Sequence, residues 1–431
     1  MPQIKTRRGY SNCLVRFVFF NINTYHFIMR LFWLALFFLF LVRIFFFLDQ
    51  MNTPALPDEM TNIPCVRLLI ADPLKNPLLL CSDAVVPLFN FFPSFITYVL
   101  INHFYNISIL TCLRLVTFIV SCGVIYTCSL LLRQRYKPLV AILTLLSLGT
   151  NPALMQFSIF NWVNMNLVFL TLLASIIFQR LVNKNGLKWV ILFSLVIVLI
   201  FQSYVMGKII AFGLFLVCFF ELKKTNQKLV FIGITAILLV PIIISNFMNT
   251  TLALDRTRTI TLSIREIFDM NFFLHQIIPT VAGILGVPYA VKAGPDNPLF
   301  TPPALGLLPF FYTPFVIIGF LFYGRRAILY ARKNTIPASY PFWIVIFIIT
   351  IATNLLTVYP LNISRSMLLI PLYTFLIAKG VQIITTYKVF KNKKASFVLI
   401  ATFILTAGFS IGIYYDWLHK EFHQYLFSIL R

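Results

Sequence analysis

Leu31 to Val42 and Leu229 to Ile244 contain no charged side chain, and apolar runs of this kind recur along the whole chain. A soluble fold covers itself with roughly 25% charged residues, whereas this chain of 431 residues is 11% charged and 60% hydrophobic. A water-soluble protein is thereby excluded. Because a bilayer leaves no water for free backbone groups, long apolar runs cross it as helices. The chain is therefore read as an all-α, polytopic transmembrane helical protein.

Windows of about 20 apolar residues, the length that spans a hydrocarbon core, give about 11 spans. They lie near 31–48, 109–132, 138–155, 157–178, 188–204, 206–221, 229–247, 303–323, 341–359, 365–387 and 396–415. The pair around Gly207 also reads as one long kinked segment. With the N-terminus inside, 22 of the 35 Lys and Arg residues fall on inner segments, the bias that orients membrane proteins. A net charge of +23 would point to nucleic acid in a soluble chain; here its distribution sets topology instead, and no nucleic-acid partner is expected. Eleven of the 12 acidic residues fall outside, Glu221 being the exception. Acidic residues contribute little to orientation, so their placement points to a function on the outer face.

The organisation that follows is a cytoplasmic segment 1–30, a transmembrane domain 31–415, and a short outer tail 416–431. Two outer loops, 49–108 and 248–302, are too long for simple turns, and long ordered loops usually carry function. The first includes Pro87 to Tyr105, an aromatic stretch that suits an interfacial helix in the membrane plane; a twelfth span is the competing reading, which would put Arg133, Arg135 and Lys137 outside. Residues 1–28 show no signal-peptide pattern, and Met29-Arg30-Leu31 reads as an ordinary start for the first span. No repeat of 20 to 50 residues is present.

Nucleotide-binding glycine motifs are absent. His419, Glu421 and His423 form H-x-E-x-H rather than the zinc signature H-E-x-x-H, so an interfacial tail is the simpler reading and no metal is expected, though a divalent ion is left open. Cys112, Cys122, Cys128 and Cys218 fall in spans as small packing residues. Cys65 and Cys81 share the first outer loop, where a bridge and two unpaired thiols both fit.

The strongest local signal is Asp58-Glu59, about ten residues beyond the first span. Adjacent carboxylates near a membrane repel one another and lose solvation, which suits general base work, although an acidic pair in a loop is more often simply solvated. Arg43 lies within the first span, and Arg114 and Arg365 near the outer ends of theirs. A charge in a span costs about 2.5 to 3.5 kcal/mol on insertion scales and marks a functional candidate. Three guanidiniums at one depth could clamp a phosphate; the alternative for each is snorkelling to headgroups. Outside the cytoplasmic membrane a transferase has no nucleotide sugar and needs a donor carried on lipid. A polyprenyl-phosphate sugar meets that need, with its phosphate at the arginines and its anomeric carbon facing the carboxylates.

In their order along the chain these features resemble the GT-C superfamily of membrane glycosyltransferases, in particular the branch of protein O-mannosyltransferases and aminoarabinose transferases. The resemblance rests on Arg43, Asp58-Glu59, Pro87 to Tyr105 and Leu113-Arg114-Leu115. It continues through Asn151-Pro152, Gly319 with Arg325-Arg326, the segment Arg365 to Tyr373, and loosely His275 to Pro279. Each motif is short and degenerate. The resemblance implies an inverting transfer to a hydroxyl acceptor on protein, lipid or glycan. It makes Asp58 the base and Glu59 an orienting partner or alternate base. Arg43, Arg114 and Arg365 hold the donor phosphate, with Lys208, Arg256, Arg258, Arg265 and His275 in reserve, and no cofactor is needed. Two departures stand out: the tail carries no soluble domain, and the lysine-containing K-P-P element is reduced to Val86-Pro87-Leu88. The alternatives are a lipid-linked glycan polymerase, ligase or flippase, and a non-catalytic transporter or assembly protein. Sequons at Asn106, Asn249 and Asn362 fall outside; the compact chain and bare tail favour a bacterial inner membrane with the active face to the periplasm.

Overall fold

A computed structural model describes residues 8–75, 80–81, 86–161, 164–184, 186–248, 307–333, 339–356, 366–386 and 393–424, with isolated positions between them. Most of the outer loop 248–302 lies outside the described residues, and with it Arg256, Arg258, Arg265 and His275; Arg365 lies outside them too. The described chain is almost wholly helical. The first half comprises α1 (Arg8–Gln50), α2 (Pro57–Ala71), α3 (Phe92–Asn102), α4 (Ile109–Arg135) and α5 (Pro138–Gly149). It continues through α6 (Pro152–Ile159), α7 (Asn164–Lys184), α8 (Leu187–Ser203), α9 (Val205–Glu221) and α10 (Thr225–Met248). After the second long loop come α11 (Thr313–Arg332), α12 (Ser339–Leu355), α13 (Leu369–Thr386) and α14 (Lys393–Trp417). Two-residue strands β1 (Leu80–Cys81) and β2 (Val86–Pro87) pair antiparallel between α2 and α3.

Each of the eleven apolar stretches contains a helix. Seven described helices are long and apolar enough to cross a membrane, and the bent pair α5–α6 makes an eighth; α8 and α12, at 17 residues each, are shorter. The chain is a multi-pass membrane protein. The stretch 303–323 is displaced, with α11 running on to Arg332 because its start is set by Pro314 in the first turn. The stretch 157–178 is divided between the end of α6 and α7, which begins at Asn164, with Phe160 extended between them. Around Gly207 there are two helices rather than one kinked one. Tyr204 is fully extended between α8 and α9, and Phe231 of α10 stacks on both Phe193 and Phe215. Gly207 permits the reversal, as a Cβ there would lie 2.1 Å from the Ile200 carbonyl oxygen.

The first outer loop holds an expectation that the structure corrects. Asp58 and Glu59 do not stand in a loop; they occupy the first turn of α2, which begins with Pro57 at its opening position. Proline is pre-set for that place and acidic side chains suit the positive end of the helix dipole. The α2 helix is fastened to β1 by a Cys65–Cys81 disulfide. It packs with α3 and α4 over a small core of Cys65, Val66, Leu69, Leu88, Phe91 and Leu113, separate from the main core of the bundle. Within Pro87 to Tyr105, Leu88–Phe91 form a short 3-10 turn that leads into α3.

Within the bundle, α5 and α6 form a broken helix bent by 58° at Thr150 and Asn151. Asn151 caps α6, its side-chain oxygen accepting from the Leu154 amide at 2.9 Å, and Pro152 opens the helix. Two helices meet backbone to backbone where α11 crosses α13. A Cβ at Gly319 would sit 2.1 Å from the Leu376 carbonyl oxygen, and one at Gly380 2.2 Å from that of Phe315. Small residues at such crossings let helices approach where no hydrophobic drive favours one helix over lipid.

Candidate active site

The end of α1, the start of α2 and the start of α4 converge on one buried ion pair. Glu59 and Arg114 are both fully buried and meet at 2.7 Å. The pairing is bidentate: Arg114 Nε donates to Glu59 Oε1 at 2.9 Å and Nη2 to Oε2 at 2.7 Å. Removing two charges from water is favourable only when their remaining hydrogen-bonding capacity is met, and here it is. Glu59 Oε2 also accepts the Leu56 amide at 2.9 Å, which caps α2 through the side chain of its third residue, and Oε1 accepts the Asn161 amide at 2.8 Å. Arg114 Nη1 donates to the carbonyls of Gln50 at 2.7 Å and Thr53 at 3.0 Å, while Nη2 donates to that of Pro54 at 3.0 Å. The turn leaving the first span is thus wrapped around the guanidinium. Phe160 closes it from one face, with its ring centroid 4.9 Å from the guanidinium carbon.

Asn161 ties this pair to its surroundings. Its side chain accepts from Asn62 Nδ2 at 2.8 Å and donates to Thr117 Oγ1 at 2.8 Å. The tail adds a further layer. Phe422 packs on Phe160 with ring centroids 5.3 Å apart, and His423 Nε2 lies 3.0 Å from Gln50 Oε1. His419 Nε2 lies 3.2 Å from Asp49 Oδ2. The H-x-E-x-H run therefore docks the end of the chain onto the end of α1. Burial, and secondarily His419, lowers the His423 pKa, with Asp49 opposing. Leu418 and Phe422 are buried, so residues up to 424 continue α14 as a packed extension. Among the described residues no group of three or more His, Cys, Asp or Glu side chains is arranged to hold a metal ion.

Arg43 lies one layer deeper and is also fully enclosed, at 1% exposure. Its Nη1 donates to the Leu154 carbonyl at 2.7 Å and to Ser158 Oγ, and its Nη2 to the Gly149 carbonyl at 3.0 Å. The bend between α5 and α6 strands carbonyls at a depth with no water to take them, and a broken helix is tolerated there only if something else does. Arg43 is that donor.

Arg43 and Arg114, the arginines expected at a donor phosphate, are both engaged by acceptors of the protein itself. Every N–H of Arg114 has a protein acceptor, so a phosphate there would have to displace one of them, whereas the buried Nε of Arg43 has no hydrogen-bond partner among the described residues. Asp58 is exposed on the first turn of α2, beside the immobilised Glu59. Lys208 is half-buried near the start of α9, just past the Tyr204 break. Gln202, two residues before Tyr204, accepts from Asn90 Nδ2 through its carbonyl at 2.8 Å, which brings this break against the segment leading into α3. Asn62, Phe160 and Asn161 escape sequence reasoning, because a single amide or ring in a linker carries no periodicity and no motif.

No family model matches the chain, and no curated protein matches it in sequence. Among solved structures the chain is similar to the crystal structure of ArnT from Cupriavidus metallidurans in the apo state. The identity is 13% over 92% of this chain and 76% of that one, with a TM-score of 0.48.

Proposed function

We propose that the protein is an inverting membrane glycosyltransferase that moves a sugar from a polyprenyl-phosphate donor to a hydroxyl acceptor at the outer face, with Asp58 as general base. The observation that carries this reading is the division between two neighbouring carboxylates. Glu59 accepts four hydrogen bonds in a buried ion pair and has no capacity left for an incoming proton. Asp58, next to it, is exposed. An exposed carboxylate on a helical turn that its neighbour anchors is what a positioned base requires, since proton transfer depends on geometry before basicity. Glu59 is then a positioning residue, acting through the first turn of α2.

In the proposed reaction the Asp58 carboxylate takes the proton of the acceptor hydroxyl as its oxygen attacks the anomeric carbon. The bond between that carbon and the phosphate oxygen breaks, and polyprenyl phosphate leaves with the electron pair. The departing anion needs cations. Because every N–H of Arg114 is engaged by the protein, we assign that role first to Lys208 and Arg365, with Arg43, Arg256, Arg258, Arg265 and His275 as the remaining candidates. The order of sequence features supports the donor class, as does the lack of a nucleotide-binding motif. The outer face is supported by the charge bias of the chain.

Mass spectrometry of cell-envelope glycolipids and glycans, with and without this protein, tests the reading. Loss of one hexose, pentose or aminosugar from a single acceptor class is expected, together with accumulation of the corresponding lipid-phosphate sugar. Full-length glycan chains that fail to assemble, with every sugar still attached, would instead identify a polymerase, ligase or flippase.

A further inference from the structure

About 30 Å from the ion pair, at the other end of α4, lies a feature the transfer reaction does not use; the separation follows from the 21 residues between Arg114 and Arg135 at about 1.5 Å each. There α11, α12 and α13 enclose a groove of about 370 Å³ whose walls include Phe320, Trp343, Phe347, Ile348 and Leu376. Gly324 forms part of its floor, and a Cβ at that position would meet nothing within 4 Å. Past Phe320 and Gly324 the cleft continues to Arg325 and Arg332.

The polar rim of this groove is one-sided in charge. Arg135 lines it, its guanidinium carbon 5.6 Å from the centroid of Phe375. Arg326 and Lys379 rest on Phe322 close by, at 4.8 and 4.0 Å from its centroid. Among the described residues none of these cations has a carboxylate partner. None is to be had locally, because α4, α11, α12 and α13 contain no Asp or Glu at all. Unpaired cations at the mouth of an apolar cleft, on a membrane-embedded surface, match an amphiphile with a negative head and hydrocarbon chains.

We infer that this groove is a binding site for an anionic glycerophospholipid, seated with its acyl chains over Gly324 and its phosphate between Arg135 and Arg326. The site stands independently of the proposed transfer. It faces the end of the bundle that the basic residues assign to the cytoplasm, whereas Asp58 lies at the opposite end.

The test is native mass spectrometry of the full chain purified with phosphatidylglycerol or phosphatidylcholine of matched chains. The expected result is selective retention of phosphatidylglycerol. Arg135→Gln and Arg326→Gln should each reduce it about fivefold, the factor that ~1 kcal/mol of headgroup attraction gives. Gly324→Trp, which fills open space, should remove both lipids. Equal retention of the two lipids by the unmodified chain would overturn the inference, as would undiminished phosphatidylglycerol in the two arginine variants. So would displacement of phosphatidylglycerol by equimolar polyprenyl phosphate, which would make the groove a donor site.

Discussion

Arg43 and Arg114 stand out in the sequence for one reason and matter in the structure for another. A charge within an apolar span reads as a functional site because its insertion costs free energy. That cost is offset here by backbone carbonyls, which the one arginine collects from a broken helix and the other from the turn after α1. Hydropathy cannot reveal this, since which carbonyls are stranded depends on where helices break. The residue types are legible; the carbonyls they hold are not. The account predicts that Arg114→Gln costs about 3 to 5 kcal/mol, because it leaves Glu59 buried and unpaired. Unfolding midpoints in detergent should show this loss, and Arg114→Met combined with Glu59→Met should lose clearly less than the sum of the single changes. Additive losses would mean that the pair is not coupled.

Among the elements, the long apolar helices are readable from composition, whereas α2 is not. Its 15 residues mix Asp58, Glu59, Asn62 and Arg67 with an internal Pro64, a pattern that reads as loop. Tertiary fastening decides the matter: the helix is stapled to β1 and packs its Cys65, Val66 and Leu69 against Leu88, Phe91 and Leu113. The two open readings of Cys65 and Cys81 are thereby resolved in favour of the bridge. Closing a loop with a sequence separation of 16 should stabilise the fold by about 3 kcal/mol. Reductant is expected to lower the thermal midpoint of the unmodified chain, and to leave that of Cys81→Ser unchanged. An equal response in both would show that the bridge does not support this region. The break at Tyr204 and the bend at Asn151 belong to the same scale. Asn151-Pro152 is visible as a motif, and its cause is a helix cap beside the Gly149 carbonyl, to which Arg43 donates.

At the scale of the whole molecule, the uneven charge pattern and the apolar runs between charges were sufficient to read a multi-pass helical bundle. They could not place the end of the chain, because a run such as His419 to His423 carries no sign of the surface it docks on; its contacts with Asp49, Gln50 and Phe160 are made across the fold. The bundle brings the ends of α1, α2, α4 and α14 to one place, where Asp58 is exposed beside the fixed Glu59. The most direct measurement is transfer of sugar from a polyprenyl-phosphate donor by the purified, correctly folded Asp58→Asn variant, compared with Glu59→Gln. The account predicts that Asp58→Asn keeps the thermal midpoint of the unmodified chain and loses transfer by about 10²-fold or more, while Glu59→Gln loses stability together with activity. Full transfer by Asp58→Asn would contradict it.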